Sequence, residues 1–172
     1  MVLAFALKHP ERLGRLVVIS AFIYDEQLLP FMRWARAKGI GELLYALFYR
    51  QNLGERLYLN FYDPSLVTQK VVDEVEKQMA QPGALAAALA AVRGMSFRES
   101  DYKKIGAETL ILWGREDRVA RLAFGERLAR ELPRARLVVM GRCGHIPMWE
   151  CTGETAAELR RFLDGNPGEA HR

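Results

Sequence analysis

An acid and a histidine, each directly following a strongly apolar run, are the residues of this sequence best placed to do chemistry. Asp117 ends Gly114-Arg115-Glu116-Asp117, just after Thr109-Leu-Ile-Leu-Trp113, and His145 ends Gly141-Arg142-Cys143-Gly144-His145, just after Arg136-Leu-Val-Val-Met140. Short apolar runs closed by glycine read as buried strands. Strands alternating with helices form a parallel sheet, and ligands bind beyond the carboxyl ends of its strands. A carboxylate delivered there beside an imidazole holds its tautomer, so that the other ring nitrogen can take up a proton and later return it. Taken singly, each residue has a plainer reading: Asp117 as a turn or N-cap residue, His145 as a hydrogen-bonded loop histidine. Their order along the chain, with one helix and one strand between them, favours the pair. Glu116 is the weaker candidate for the acid and is expected to face solvent. The glycines around Cys143-Gly144-His145 predict a sharply bent backbone there.

The elements that must position these loops follow from periodicity. Met1 to Leu7 are helix formers stopped at Lys8-His9-Pro10, with no residue to cap their start. Leu16 to Ser20 reads as a strand buried on both faces. From Phe22 to Ile105 the pattern is helical, without a strand signal. Leu28 to Ala37 is interrupted by Pro30, and Glu42 to Tyr58 carries Leu43, Leu44, Leu47 and Phe48 at helical spacing. Val71, Val72, Val75 and Met79 form a further stripe before Gln81-Pro82-Gly83, and Ala84 to Val92 is alanine-rich. Arg121 to Leu132 and Glu154 to Leu163 are helices around the last strand, and Asn166 to Arg172 is expected to fray. Gly39-Ile40-Gly41 lacks the third glycine and the preceding strand of a dinucleotide fingerprint. The fold class is therefore α/β: a partial parallel sheet with flanking helices, plus an all-helical insertion.

Bulk properties exclude several classes. With 172 residues, half of them apolar and 27% charged, the chain is neither disordered nor of low complexity. Its +4 charge is carried by arginines mixed with acids, as in Arg115-Glu116-Asp117-Arg118, so no nucleic-acid partner is expected. Cys143 and Cys151 make neither a disulfide framework nor a zinc site, so a reducing cytoplasmic setting is expected, with no cofactor or metal. Met1 to Leu7 lacks the basic flank and cleavage site of a signal peptide, and no stretch suits a membrane span.

The resemblance carried by these residues is specific. Leu110-Ile-Leu-Trp-Gly-Arg-Glu-Asp117-Arg-Val119, Gly125-Glu-Arg-Leu128, Leu132-Pro133-Arg-Ala135 and Gly141-Arg-Cys-Gly-His145-Ile-Pro-Met-Trp-Glu150 closely resemble the C-terminal half of the α/β-hydrolase family. Ala4 to Leu13 and Leu16 to Ser20 are similar to its helix after the nucleophile elbow and the next strand. The resemblance implies residues 1–21 and 106–165 as hydrolase core, 22–105 as a helical cap and 166–172 as a tail. It implies Asp117 as triad acid and His145 as triad histidine, with the nucleophile in a Gly-x-Ser-x-Gly turn about five residues before Met1. On that expectation the chain is the C-terminal part of an enzyme and is itself inactive, with nucleophile and oxyanion loop upstream. Ser20 ends a strand on the correct side but lacks the glycine-flanked turn; Ser65, Ser96 and Ser100 lie in or beside the cap; Cys143 reads as inert. Arg121 and Thr152 stand where the family often has proline.

The expected substrate is an ester or another small apolar acyl compound, since Ile146 follows His145 where carbon-carbon hydrolases of the family often place tryptophan. Whether the nucleophile is serine or aspartate stays open. One alternative is a non-catalytic pseudo-hydrolase, or a module that binds a ligand or partner; another is a start codon assigned inside a longer reading frame. Without upstream strands, the Leu16 to Ser20 strand would present an open edge inviting self-association.

Overall fold

The computed structural model describes residues 2–49, 51, 53–95 and 99–165, with backbone alone for Glu99, Ser100 and Asp101. The tail expected over 166–172 and Ser96 lie outside the described residues. Contacts divide the chain into two compact units, one of residues 1–21, 59–63 and 98–172, the other of residues 22–58 and 64–97. The division differs from the segments drawn from the sequence, because residues 59–63 and 98–105 go with the sheet.

In the first unit β1 (Arg15–Ile19), β2 (Glu108–Gly114) and β3 (Ala135–Met140) form a parallel sheet in the order β1-β2-β3. The register pairs Val17 with Leu110, Ile19 with Leu112 and Leu112 with Val138. Side chains alternate across a strand, so these residues and Met140 share one face. Leu159 and Phe162 of α9 (Thr152–Asp164) pack on that face together with Cys143. The central strand is sealed, with Leu110, Ile111, Leu112 and Trp113 all 0% exposed. Each of its large side chains contributes on the order of 1.5–3 kcal/mol by leaving water. Leu16 and Val18 of β1 are buried, but Val17 and Ile19 are only half-buried, which corrects the reading of β1 as covered on both faces. The reason is position: among the described residues β1 has a strand neighbour on one side only. Helix α1 (Val2–Lys8) precedes β1, α7 (Leu122–Glu131) joins β2 to β3, and the single turn of α8 (Pro147–Glu150) leads into α9.

The second unit contains no strand among its described residues. It comprises α2 (Pro30–Ala35), α3 (Ile40–Phe48), α4 (Leu53–Tyr58), α5 (Gln69–Met79) and α6 (Ala84–Gly94). Pro30 begins α2 instead of interrupting it, because the missing N–H costs nothing in a helix's first turn. The run from Glu42 to Tyr58 is two helices, α3 and α4. Gly39, at φ +85°, opens α3, and Glu42 accepts its N–H at 2.7 Å. The same carboxylate takes both Nη groups of Arg93 at 2.8 Å, tying the start of α3 to the end of α6. Between them Ala35, Tyr45, Leu89 and Val92 form a small buried cluster.

Candidate active site

The loop after β2 holds Asp117 by closing on itself. The Trp113 indole donates to the Ala120 carbonyl at 2.6 Å, and the Arg115 N–H donates to Met140 at the end of β3 at 2.8 Å. Oδ1 of Asp117 accepts the N–H groups of Val119 and Ala120 at 2.9 and 2.7 Å, an Asx-type turn. Its Oδ2 lies 3.0 Å from Nδ1 of His145. The plain and the chemical readings of Asp117 thus coexist, one oxygen serving each. The N-cap position of α7 belongs to Arg121, so the capping reading does not hold. The Asp117 side chain is 0% exposed and that of His145 19%. An ionised carboxylate only accepts hydrogen bonds, so the neutral imidazole carries its proton on Nδ1 and its basic nitrogen is Nε2.

The histidine loop is pinned through its backbone. Three successive N–H groups find acceptors: Cys143 on Glu116 Oε2 at 3.0 Å, Gly144 on Glu150 Oε2 at 2.5 Å, and His145 on the Asn60 carbonyl at 2.7 Å. Glu116 therefore holds the histidine loop and does not face solvent as expected; its own N–H returns to the Cys143 carbonyl at 3.0 Å. The bend comes at Arg142, at φ +54°, and not at the glycines. Gly144 and Gly114 serve close approach instead. A Cβ on Gly144 would stand 2.6 Å from the Asn60 oxygen and 2.9 Å from Tyr62 N, and one on Gly114 would stand 2.0 Å from the Gly144 oxygen.

Sequence reasoning missed the partners of this loop. Residues 59–63 interrupt the helical unit and lie against the histidine loop, where Glu150 Oε1 accepts the N–H groups of Tyr62 and Asp63 at 2.7 and 2.9 Å. Phe61 is buried and meets the Trp149 ring edge-on at 5.5 Å. No periodicity or motif marks a contact spanning nearly ninety positions of chain.

The remaining candidates are placed as follows. Ser20 ends β1 in a left-handed conformation, φ +39°, and its buried hydroxyl has no hydrogen-bond partner among the described residues. It sits at the carboxyl end of the sheet, as Asp117 and His145 do. Ser65 lies in a short turn at Pro64–Leu66, and Ser96 and the Ser100 side chain are outside the described residues. Cys143 is part of the core, and burial, with the hydrogen bond its thiol gives Cys151, pushes that thiol well above the ordinary range. Thr152 donates to the Met148 and Trp149 carbonyls at 3.1 and 3.0 Å, so the residue standing where proline is common secures the end of α8. Among the described residues no His, Cys, Asp and Glu cluster suits a metal ion, and no helix is long and apolar enough to cross a membrane. A cleft of about 330 Å³ lined by Arg15, Glu108 and Arg134 opens at the amino ends of the strands, the opposite end of the sheet from His145.

Known proteins are similar to this chain in sequence and in fold. A 2-hydroxy-6-oxononadienedioate/2-hydroxy-6-oxononatrienedioate hydrolase of Burkholderia vietnamiensis is 33% identical over 156 residues, covering 86% of this chain and 52% of the relative. The protein of the same name from Paraburkholderia phymatum is 32% identical over 169 residues, covering 93% of this chain and 57% of that one. The chain thus spans little more than half the length of these relatives. A solved meta-cleavage product hydrolase from Pseudomonas fluorescens superposes with a TM-score of 0.73 at 28% identity, over 94% of this chain and 60% of that structure. The model of the Alpha/beta hydrolase family matches residues 2–158, and the chain belongs to that family.

Proposed function

We propose that this chain carries the proton-handling half of a hydrolytic centre. The observation that supports it is the 3.0 Å contact between His145 Nδ1 and a fully enclosed Asp117 carboxylate at the carboxyl end of a parallel sheet. His145 acts through Nε2 as general base toward a nucleophile, then as general acid toward the leaving group. Asp117 keeps the tautomer and favours the imidazolium as it forms. The nucleophile, in a Gly-x-Ser-x-Gly turn, is contributed from outside these 172 residues. The substrate offers an electrophilic carbonyl. The names of the relatives favour a 2-hydroxy-6-oxo-dienedioate as the compound hydrolysed, and identity along most of the chain outweighs the single position Ile146 that favours an ester.

Four measurements test the reading. DNA upstream of Met1 should encode the in-frame elbow about five codons away, and a stop codon there overturns that part. A fluorophosphonate probe should leave the 172-residue chain unlabelled; stoichiometric labelling places the nucleophile inside it. In the form bearing the elbow, Asp117→Asn should lower kcat by about 10⁴-fold with KM little changed, and undiminished turnover overturns the relay. Comparing a dienedioate with a p-nitrophenyl ester in the same assay decides between the two substrate classes.

A further inference from the structure

We infer that Glu150 is a positioning residue that sets His145 against Asp117 by tying the histidine loop to residues 60–63. The inference rests on the proposed relay for its functional meaning and on the geometry alone for its structural one.

Glu150 does not act on the imidazole itself; it acts through the backbone. Oε2 takes the N–H of Gly144, the residue before His145, while Oε1 takes those of Tyr62 and Asp63. The ring of contacts closes because Asn60, two residues before Tyr62, gives its carbonyl to the His145 N–H at 2.7 Å. Bonds to an ionised acceptor are about twice as strong as neutral ones, so one carboxylate holding three N–H groups outweighs an ordinary turn. Helix α8 is a single turn that holds Glu150 through its N–H to the Ile146 carbonyl at 3.1 Å, and Trp149 beside it is braced by the buried Phe61. Space is the second constraint. Gly144 approaches the Asn60 oxygen and Tyr62 N so closely that a Cβ there would stand 2.9 Å or less from each, so the loop sits against residues 60–63 in one register. Misplacement of about 1 Å in such a centre costs about 10²-fold in rate, which is why a residue that never touches substrate can govern His145.

The test is read by NMR on the ¹⁵N-labelled chain and does not depend on turnover. Glu150→Gln replaces one accepting oxygen by an NH₂ that faces a donor, on the Gly144 side or on the Tyr62 and Asp63 side. Exchange at those amides should quicken about 10- to 100-fold, and the slowly exchanging downfield Nδ1 proton of His145 should disappear while the Leu110 to Leu112 amides stay protected. A purely structural role would lower the melting temperature and leave the His145 ring proton in place; that outcome, or its absence from the unmodified chain, overturns the inference. Met148→Ala, on the same turn but exposed, should change neither signal. If Glu150→Gln does not fold, Glu150→Asp carries the test: its shorter arm cannot reach both sides, so a retained ring proton with full protection at Gly144, Tyr62 and Asp63 overturns the inference. Full turnover in Asp117→Asn would instead overturn the relay and leave this reading intact.

Discussion

The two units place their apolar residues differently. In the sheet unit the central strand encloses its apolar residues, and the exposed ones, such as Phe5, Trp149 and Leu163, lie on the flanking helices. In the helical unit short helices present apolar residues outward: Trp34 is 63% exposed and Leu43 61%, with Leu47 and Phe48 close behind. A strand between two neighbours, covered by helices on both faces, has no outward side, whereas a helix of six to eleven residues must turn part of its circumference away from a small core. Apolar content is therefore a poor guide to stability between the units. Close backbone approach occurs in both, at Gly114 and Gly144 in the sheet unit and at Gly41 against the Ala35 carbonyl in the helical one, so what distinguishes Leu112 from Leu43 is how completely the side chain is covered.

The sharpest way to break this contrast is Gly114→Ala. Its Cβ would meet the Gly144 and Cys143 oxygens at 2.0 and 2.3 Å, both backbone atoms in a loop pinned on three sides. The expected loss exceeds about 4 kcal/mol, visible as a collapsed thermal midpoint; a midpoint near that of the unmodified protein would show that the loop yields freely. Next in size is a matched pair. Leu112→Ala should cost about 2–5 kcal/mol and Leu43→Ala less than about 0.5 kcal/mol in denaturant titrations, and equal costs would erase the distinction between the units.

The smallest effect is on acid stability, and both units show it. In the helical unit the Arg93 side chain, hydrogen-bonded to Glu42, holds that carboxyl at about 2. In the sheet unit burial alone would raise Glu158, but Arg136 and Arg161 outweigh it and hold it below the usual carboxylate range. A depressed carboxyl contributes stability that is fully present above its unfolded value, roughly 4.3, and lost as pH falls through the folded value. For Glu42 the loss therefore runs from about pH 4.3 down to about 2. Arg93→Met should flatten that acid dependence as followed by Trp34 fluorescence, and Arg136→Met should do so for the buried Trp113. Unchanged acid profiles would mean that neither pair matters to stability.

Much of the site was legible because its signals are local. Asp117 and His145 follow strands whose apolar runs are continuous, and the parallel sheet follows from their alternation with helices. The places where local reading failed share one cause. The positive φ at Arg142, the use of Gly144 for approach and not for bending, and the turn of Glu116 toward Cys143 all answer to atoms elsewhere in the chain. Pro30 opening α2 was a local fact misjudged, since the same residue can stop or start a helix.

By itself the sequence determined the strands, the flanking helices and the acid and histidine after β2 and β3, because side-chain periodicity and turn chemistry act within a few residues. Only the tertiary structure decided what holds the histidine. A carboxylate at 150 and backbone groups at 60–63 meet through N–H and C=O groups, which every residue type but proline carries alike, so no letter of the sequence announces that meeting.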